Sequence, residues 1–418
     1  MKRTHSDGDR EFNPETLALG YGYDPELSQQ AVKPPVFLTS TFQFASAAEG
    51  KRFFELAYGL READAGEERG LIYSRLNNPN LQIFEERMAV WDRTEMGATF
   101  ATGMAAISTT LLALVKPGDV VLSTTPVYGG THYLFEHVLR SFGVTVHFVP
   151  AGDGVAQSMR DVAKEVGPEK VRVLFLETPA NPNMEHSDIA AVAGLAKELN
   201  NDVVTVVDNT LLGPVFQRPA DLGADIVIYS ATKFLGGHSD LVAGVATGPE
   251  RLMRPILDLR TILGTITTPF NGWLLLRSLE TVSVRMRRQA KSAGVLARLL
   301  AEHPRVTRVL HPSLLEQGSP QQTLFQRQCT GQGSLLAFEV DGGEEAAFAV
   351  LDRFEVFRLA VSLGGTESLV EHPMSMTHAD MDPEQLERLG VSAGLIRVSV
   401  GIEHLSDLKR DLLFALKV

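Results

Sequence analysis

The 418-residue sequence has very little cysteine and an excess of acidic over basic residues. Its one cysteine, Cys329, excludes a disulfide within the chain and fits a reducing compartment. The net charge of −12 argues against a nucleic-acid-binding protein, because such proteins usually carry a basic surface. No apolar run approaches the length of a membrane-spanning helix, and the N-terminal stretch MKRTHSDGDREFNPET has no apolar signal core. We therefore expect a soluble, cytoplasmic protein without nucleic-acid or membrane partners.

The length predicts more than one domain, because 418 residues exceed a single ordinary hydrophobic core. Residues 1–70 are rich in proline, glycine and charge, and they predict an irregular N-terminal arm. An arm with little core of its own is expected to contact a neighbouring subunit. Residues 71–265 and 266–418 are then expected to form a large and a smaller domain.

The region 71–265 alternates between helical and strand patterns. A helix is predicted where Leu81, Phe84, Met88 and Trp91 recur at helical spacing. Five later segments are continuous apolar runs: VVLST, VTVHFVP, VRVLFLE, VVTVVDN and DIVIYS. Such runs are typical of strands buried on both faces of a parallel sheet. The pattern predicts an α/β fold with a mainly parallel sheet, and the strands and helices after residue 266 predict a smaller α/β domain.

Polar residues follow three of these runs, at the carboxyl ends where open α/β sheets bind their ligands: Glu177 to Asn181 (ETPAN), Asp208-Asn209, and Ser230 to Lys233. Asp208 ends VVTVVD, and Lys233 lies just past DIVIYS in the stretch YSATKFLGGHSD. If the two strands are neighbours, the carboxylate and the amine project into one crevice. They would form either a buried salt bridge or a site in which the lysine attacks a carbonyl group. The aldehyde of pyridoxal phosphate (PLP) suits the second arrangement, because its ring nitrogen needs an acidic partner.

A PLP site needs a phosphate cradle, and the segment ATGMAAI offers one. Gly103 and Met104 open a helix after a turn of small residues, where free amides and the helix dipole face an anion. Ser230 and Thr232 add hydroxyl donors beside the lysine. Tyr128 lies in a glycine-flanked turn, TPVYGGTHYLF, where its ring either stacks on a cofactor or packs at a helix start.

Arg397 is a cation inside the apolar strand GLIRVSVGIE, and a buried arginine needs a partner. That partner is either a protein carboxylate or the carboxylate of a substrate. Two histidine pairs, His132 with His137 and His372 with His378, match no usual metal spacing, so we expect no metal site. No GxGxxG motif opens the first strand–helix unit, which leaves nucleotide binding by that loop unsupported.

Eight segments form an ordered set: YSRLNNPN, TGMAAI, TPVYGGT, ETPANP, VVDNT, YSATKFLGGHSD, SLGGTESLVEHPMSMTH and LIRVSVGIE. Together, over about residues 15–416, they resemble the Cys/Met-metabolism (transsulfuration) PLP-dependent enzymes. That family includes cystathionine γ-synthase, cystathionine γ-lyase, methionine γ-lyase and O-acetylhomoserine sulfhydrylase. The resemblance implies the fold-type I, aspartate-aminotransferase-like fold with pyridoxal 5'-phosphate held covalently. It also implies a homodimer with shared active sites, usually assembled into a homotetramer, which would explain the arm.

The resemblance also implies a role for each candidate residue. Lys233 would carry PLP and later move protons between substrate carbons, while Asp208 would pair with the pyridine nitrogen. Tyr128 would stack on the ring as a candidate acid/base group, and Asn181 would bond the ring hydroxyl.

The same resemblance distributes the phosphate contacts over two subunits. Arg397, helped by Ser362, would bind the α-carboxylate of the substrate. The phosphate would be held by Gly103, Met104, Ser230 and Thr232 of one chain and by Tyr73 and Arg75 of its neighbour.

The reaction predicted by the resemblance is γ-elimination on an L-methionine-type substrate, which releases 2-oxobutanoate, ammonia and a thiol. Family members that handle cystathionine often carry glutamate where this chain has Val361, and an apolar residue suits a short apolar side chain. Gly130 argues against a methionine γ-lyase, because those enzymes typically carry cysteine at this position. The polar insert LREADAGEERG is also longer than expected for the family. A γ-replacement transferase acting on an O-acylated homoserine is the first alternative, and a cystathionine lyase is the second.

Two further alternatives belong to other classes of protein. A non-catalytic PLP-binding protein would keep the fold without the chemistry, but the joint presence of Lys233, Asp208, Tyr128 and Arg397 argues against it. An oxidoreductase built on the α/β domain would instead bind a nicotinamide cofactor.

Overall fold

A computed structural model of the chain describes residues 6–7, 10–64, 67, 70–379, 381, 386 and 390–417. In the N-terminal part, helix α2 departs from the irregular arm that the composition predicted. Ser46 starts this helix, because its hydroxyl accepts a hydrogen bond from the amide of Glu49 at 3.1 Å. The spacing of Ser46 and Glu49 is a helix-start signal that the sequence already contained. The elements here are β1 (Ser6–Asp7), β2 (Arg10–Glu11), α1 (Pro14–Leu17) and α2 (Ala47–Ala57).

A seven-stranded sheet in the order β3-β9-β8-β7-β6-β4-β5 forms the centre of the large α/β region. Its strands run parallel except β9, which is antiparallel to both β3 and β8, so the predicted mainly parallel sheet is confirmed. The elements are α3 (Pro79–Asp92), β3 (Met96–Phe100), α4 (Gly103–Leu114), β4 (Val120–Thr125), α5 (Gly129–Tyr133), β5 (Thr145–Pro150), α6 (Val155–Val166), β6 (Val171–Glu177), α7 (Ile189–Leu199), β7 (Val204–Asp208), α8 (Gly213–Phe216), β8 (Ile226–Tyr229), β9 (Gly244–Gly248) and α9 (Glu250–Leu263). One π-helical segment, Leu134–Leu139, continues α5.

The apolar runs of this sheet are buried on both faces, as their composition predicted. Along β6, Phe175 packs into one hydrophobic cluster, whereas Leu174 and Leu176 pack into another on the opposite face. Each fully buried side chain of this size contributes about 1.5–3 kcal/mol to folding. Strands β3 and β9 were not predicted, because the sequences MGATF and GVATG are short and contain glycine.

A five-stranded sheet in the order β10-β11-β14-β13-β12 forms the C-terminal region, antiparallel except for the pair β12–β13. Two helices, α10 and α11, precede this sheet and are separated at residues 280–281. The elements are α10 (Pro269–Leu279), α11 (Val282–Ala301), β10 (Val306–Leu310), α12 (Pro320–Gln328), β11 (Leu335–Val340), α13 (Gly343–Leu351), β12 (Arg358–Leu359), β13 (Leu369–Glu371), β14 (Leu395–Ser399) and α14 (Leu405–Ala415).

The topology brings the polar ends of several strands together. Strands β6, β7 and β8 are consecutive and parallel, so Glu177 lies beside Asp208, and the segment that follows Tyr229 lies next to the end of β7 on its other side. In the smaller sheet, Glu371 of β13 pairs in register with Arg397 of β14. Within the described part of the chain, no helix has the length and apolarity needed to cross a membrane.

Candidate active site

Lys233 lies just past the end of β8, as expected, and its amine faces the C-terminal region. Its Nζ donates a hydrogen bond to Ser362 Oγ at 2.7 Å, a contact between residues 129 positions apart. Burial lowers the pKa of this amine to about 8, and the nearby charge of Arg397 lowers it further against the opposing effect of Glu371. A lysine held in this way is a better nucleophile near neutral pH than an exposed lysine, because more of it is uncharged.

Asp208 ends β7 with its carboxyl group almost fully buried. Its Oδ1 accepts two hydrogen bonds from Thr210, from the hydroxyl at 2.6 Å and from the amide at 3.0 Å. Burial raises the pKa of Asp208, and the two Thr210 donors oppose that rise because they favour the charged form. The carboxylate is therefore stabilised at Oδ1, while no described residue donates a hydrogen bond to Oδ2.

Glu177 is a site residue to which the sequence analysis gave no role. It ends β6, directly beside Asp208, and burial together with the charge of Asp208 raises its pKa to about 8. Its Oε2 accepts a hydrogen bond from the amide of Tyr128 at 2.6 Å, which fixes the turn that carries the tyrosine. The segment ETPAN marked this strand end as polar, but no local signal could show that Glu177 reaches the Tyr128 turn.

Tyr128 stands at the start of α5 with half of its side chain exposed, so its ring is accessible to a bound molecule. Gly129 and Gly130, which follow the tyrosine, carry no side chains and leave space beside its ring. A Cβ at Gly130 would lie 2.8 Å from Tyr128 Cε1 and 3.0 Å from Met104 Sδ. A larger residue at position 130 therefore requires the tyrosine or the methionine to move.

The start of α4 packs closely against Ser230, the residue that follows β8. A Cβ at Gly103 would lie 2.8 Å from Ser230 Cβ, so only glycine allows this approach. Thr102 satisfies the amide of Ala105, and the first turn of the helix presents the amides of Gly103 and Met104 outward. This surface has the free donors and the dipole that an anion needs.

Ser230 and Thr232 differ in what their hydroxyls do. The Thr232 hydroxyl donates to the carbonyl of Ala243 at 3.2 Å and accepts from its amide at 3.0 Å. Ser230 Oγ bonds to no residue that the structure describes and stands next to Gly103. Ser230 is thus free to act as the predicted phosphate donor, whereas Thr232 must first release Ala243.

Arg397 is 3% exposed, and of the two partners left open by the sequence it has a protein carboxylate. Its Nη1 contacts Glu371 Oε1 at 2.8 Å, and its Nη2 donates to the carbonyl oxygen of Ser362 at 2.7 Å. Asn181 Oδ1 lies 3.4 Å from Nη1. The Nε group is buried without a hydrogen-bond partner among the described residues.

Ser362 joins the lysine to the arginine through a strained backbone. Its φ of +96° lies in the left-handed region, which is uncommon for a residue other than glycine. This conformation lets its hydroxyl accept from Lys233 while its carbonyl accepts from Arg397. Its neighbour Val361 is 57% exposed beside this pair.

The family model for Cys/Met metabolism PLP-dependent enzymes matches residues 15–417, nearly the whole chain. The chain belongs to this family. It is 39% identical to the L-methionine γ-lyase of Pseudomonas deceptionensis over 99% of each chain. It is 40% identical to the enzyme of the same name from Pseudomonas putida over 96% of each. A solved cystathionine γ-synthase from Xanthomonas oryzae pv. oryzae superposes with a TM-score of 0.87 at 34% identity, over 97% of this chain and 98% of that one.

Membership of this PLP-dependent family makes the chain an enzyme with pyridoxal 5'-phosphate as its cofactor and fold-type I as its fold. The residues present fit that cofactor. Asp208 keeps one carboxylate oxygen without a described donor, as a ring nitrogen requires. The close approach of Gly103 to Ser230 puts the start of α4 beside a serine hydroxyl, a pair of donors that suits the phosphate. Lys233 has the lowered pKa that condensation with an aldehyde favours.

Tyr73 and Arg75, the two residues predicted to reach the phosphate of the neighbouring subunit, contact other parts of their own chain. Tyr73 is 42% exposed and pairs with Thr41 in the N-terminal part of its own chain. The Arg75 guanidinium donates to the carbonyl of Thr261 in α9 at 2.6 Å and lies 5.9 Å from the Tyr73 ring centroid. Their assignment to the neighbour's phosphate stays a prediction.

The histidines dismissed as metal ligands have other surroundings. His132, His137 and His378 line one small cavity of about 110 Å³. The two nitrogens of His372 lie within hydrogen-bond distance of Ser375 Oγ and the Ala393 carbonyl. Across the described ranges, no group of three or more His, Cys, Asp or Glu side chains could hold a metal ion.

Proposed function

We propose that the protein catalyses γ-elimination on L-methionine-type substrates and releases 2-oxobutanoate, ammonia and a thiol. The observation that carries this proposal is the apolar, exposed Val361 next to Ser362, whose carbonyl accepts from Arg397. A substrate whose carboxylate is bound by Arg397 would meet an apolar surface at Val361. A distal ammonium such as that of cystathionine would find no partner in that side chain. The relatives named L-methionine γ-lyase support the same reading.

The roles of the residues follow from their positions. The Arg397 Nε group and its neighbouring nitrogens bind the α-carboxylate, and Glu371 holds the guanidinium in orientation. Bound PLP supplies the electron sink that stabilises negative charge on the substrate carbons, and Asp208 keeps its ring nitrogen protonated. Lys233 removes the α-proton of the substrate and then transfers protons to and from the substrate carbons beyond it. Tyr128 stacks on the ring and is the candidate acid for the departing thiolate.

A γ-replacement transferase is the second candidate, and Gly130 favours it. The space at this position is closed by Tyr128 and Met104, so the cysteine typical of methionine γ-lyases does not fit without a shift. The structural similarity to a cystathionine γ-synthase supports this alternative as well. In that reaction an external thiol would replace the leaving group of an O-acylated homoserine. A cystathionine lyase is the third candidate.

The deciding experiment measures 2-oxobutanoate from L-methionine with the PLP-loaded protein, alongside O-acetylhomoserine plus sulfide. We expect keto acid from methionine and little homocysteine from the second mixture. Homocysteine without keto acid from methionine would show that the protein is a γ-replacement transferase.

Two variants make this assay specific to the site. Lys233→Ala should abolish turnover and the visible absorbance of the lysine-bound cofactor. Val361→Glu should lower kcat/KM for methionine and raise it for cystathionine, because the carboxylate offers a partner to the distal ammonium. Equal effects on both substrates would remove the specificity role of Val361.

We also propose that residues 1–70 form an arm that contacts a second subunit, that residues 71–265 bind PLP, and that residues 266–418 complete the substrate site. Large apolar side chains are exposed in the arm, at Leu27, Val32 and Leu38, and at Ile262 of α9, with exposed fractions from 72% to 84%. Apolar surface of this kind suits an interface.

We infer a homodimer with shared active sites, assembled into a homotetramer, that works in the cytoplasm. The polar insert near residues 60–70 lies partly outside the described residues.

A further inference from the structure

One threonine hydroxyl connects the two halves of the cofactor site. Thr210 Oγ1 donates to Asp208 Oδ1 at 2.6 Å and accepts a hydrogen bond from the amide of Ser230 at 2.8 Å. Asp208 ends β7, while Ser230 follows β8, so the hydroxyl bridges the carboxyl ends of two neighbouring parallel strands. A hydroxyl carries one proton and accepts through its lone pairs, so both bonds form at once.

This arrangement decides which oxygen of Asp208 is available. The Thr210 amide also donates to Oδ1, at 3.0 Å, so both donors converge on the same oxygen. Among the described residues, none donates to Oδ2. Rotation of the carboxylate would break both Thr210 bonds, which holds Oδ2 in one direction. A ring nitrogen that bonds to Asp208 would therefore meet Oδ2.

The other end of the bridge lies in the phosphate cradle. Because its amide is bonded to Thr210, Ser230 is held against Gly103, where a Cβ would come within 2.8 Å of the serine Cβ. The ring nitrogen of PLP and the carbon that bears its phosphate arm are fixed positions of one aromatic ring. The positions of the protein partners of the nitrogen and the phosphate must therefore match the cofactor, and Thr210 contacts both partners.

We propose that Thr210 is a positioning residue for PLP, which aims Oδ2 of Asp208 at the ring nitrogen and sets its separation from Ser230. The inference rests on the proposed role of Asp208. It assigns to Thr210 a function in cofactor binding and in the electronic state of the ring, without contact to the substrate. The loss of the hydroxyl should affect both properties, because charge-assisted hydrogen bonds hold a carboxylate more firmly than neutral ones.

The test uses Thr210→Val, which keeps the side-chain shape and the backbone amide but removes the hydroxyl. The dissociation constant of PLP is measured by titrating the apoprotein, and the visible spectrum of the loaded protein is recorded against pH. We expect binding to weaken about tenfold, as the loss of one charge-assisted hydrogen bond predicts. We also expect the acid-side spectral change to move to higher pH, since Asp208 then protonates more easily.

A matched control is available on β7, the strand that ends two residues before Thr210. Thr205 of β7 is fully buried, and its hydroxyl has no hydrogen-bond partner in the described structure. Thr205→Val makes the same chemical change five residues away and should leave both PLP affinity and spectrum unaltered. Thr210→Ser should restore both, because it retains the hydroxyl. If Thr210→Val does not fold, the PLP affinity and the spectrum of Thr210→Ser are compared with those of Thr210→Ala instead.

The outcomes separate this inference from the role of Asp208 itself. If Asp208→Asn shifts the spectrum but Thr210→Val behaves like Thr205→Val in affinity and pH response, the positioning role is wrong and the Asp208 assignment stands. If Asp208→Asn also changes nothing, the assignment of Asp208 fails first and the inference fails with it. Weakened binding without any change in the pH response would overturn the electronic part of the proposal.

Discussion

At the scale of single residues, the site depends on charged groups that the fold removes from water. Lys233 is partly buried next to the fully buried Arg397, and among the described residues Glu371 is the one that supplies compensating charge to the lysine. Burial of a cation without full compensation favours its neutral form. For a lysine that must condense with an aldehyde, the neutral form is the reactive one.

This residue-scale argument predicts how the apoprotein loads with PLP at different pH. The neutral fraction of Lys233 rises as pH approaches its pKa of about 8 and is constant above it. The loading rate should therefore increase about tenfold per pH unit below that value and level off above it. The measurement is the appearance of visible absorbance after mixing apoprotein with PLP. A rate that still rises steeply at pH 9.5 would show a lysine with an ordinary pKa.

A neighbouring substitution tests the cause of this shift. Glu371 raises the pKa of Lys233, against the effects of burial and Arg397. Glu371→Gln removes that charge, so the midpoint of the loading profile should move to lower pH. An unchanged midpoint would show that Glu371 does not act on the lysine through its charge.

At the scale of secondary-structure elements, the start of α4 approaches β8 as closely as backbone packing permits. Gly103→Ala would place a Cβ 2.8 Å from Ser230 Cβ, so the helix start must move away from the cradle. We expect PLP affinity to fall by at least about tenfold. Gly194→Ala is the control, because no atom lies within 4 Å of the added Cβ on the exposed face of α7. Equal affinities of the two variants would contradict the close approach as the reason for Gly103.

Helix α14 holds the chain segment that leads to β12 through one carboxylate. Asp411 accepts three hydrogen bonds, from the amides of Glu355 at 2.9 Å, Val356 at 2.8 Å and Phe357 at 2.9 Å. Asp411→Ala leaves these donors without partners and should lower the free energy of unfolding by about 2–4 kcal/mol. Guanidinium unfolding monitored by circular dichroism measures the change.

The control for this prediction lies on the same helix. Asp407 has an exposed side chain and pairs only at the surface, with Arg410 at 3.0 Å. Asp407→Ala should cost less than about 1 kcal/mol. If the two variants are equally stable, Asp411 does not anchor the segment 355–357.

At the scale of the whole molecule, the site needs side chains from both sheets and, by the proposed assembly, from a second subunit. In that assembly, Arg75 of one subunit would bind the PLP phosphate in the active site of its neighbour. Mixed dimers of Lys233→Ala and Arg75→Ala chains contain one site with both residues intact. Activity should then recover to about a quarter of the wild-type value after random reassembly, because half of the dimers are mixed.

Each variant alone provides the baseline for the mixing experiment. Lys233→Ala should be inactive, and Arg75→Ala should be weakened in PLP binding. If Arg75 serves its own subunit, no mixed dimer has an intact site, and the mixture should show only the average of its two components.

The sequence by itself determined the α/β class, the mainly parallel sheet and the positions of Asp208 and Lys233. It could do so because these features depend on local apolar runs and on the residues that directly follow them. The same reasoning missed the helix α2, whose Ser46 and Glu49 signal was present but hidden in a charged segment. It also missed strands β3 and β9, which are too short and too rich in glycine to show a pattern.

Tertiary structure decided how the chemical groups act on one another. The bond from Lys233 to Ser362 spans 129 residues, and the contact of Arg397 with Asn181 spans 216. The pairing of Glu371 with Arg397 depends on the register of two strands, and the Thr210 bridge depends on the adjacency of β7 and β8. Sequence spacing carries no direct information about such contacts. They arise only when the hydrophobic cores bring distant strands side by side, and that packing determines which buried charge meets which partner.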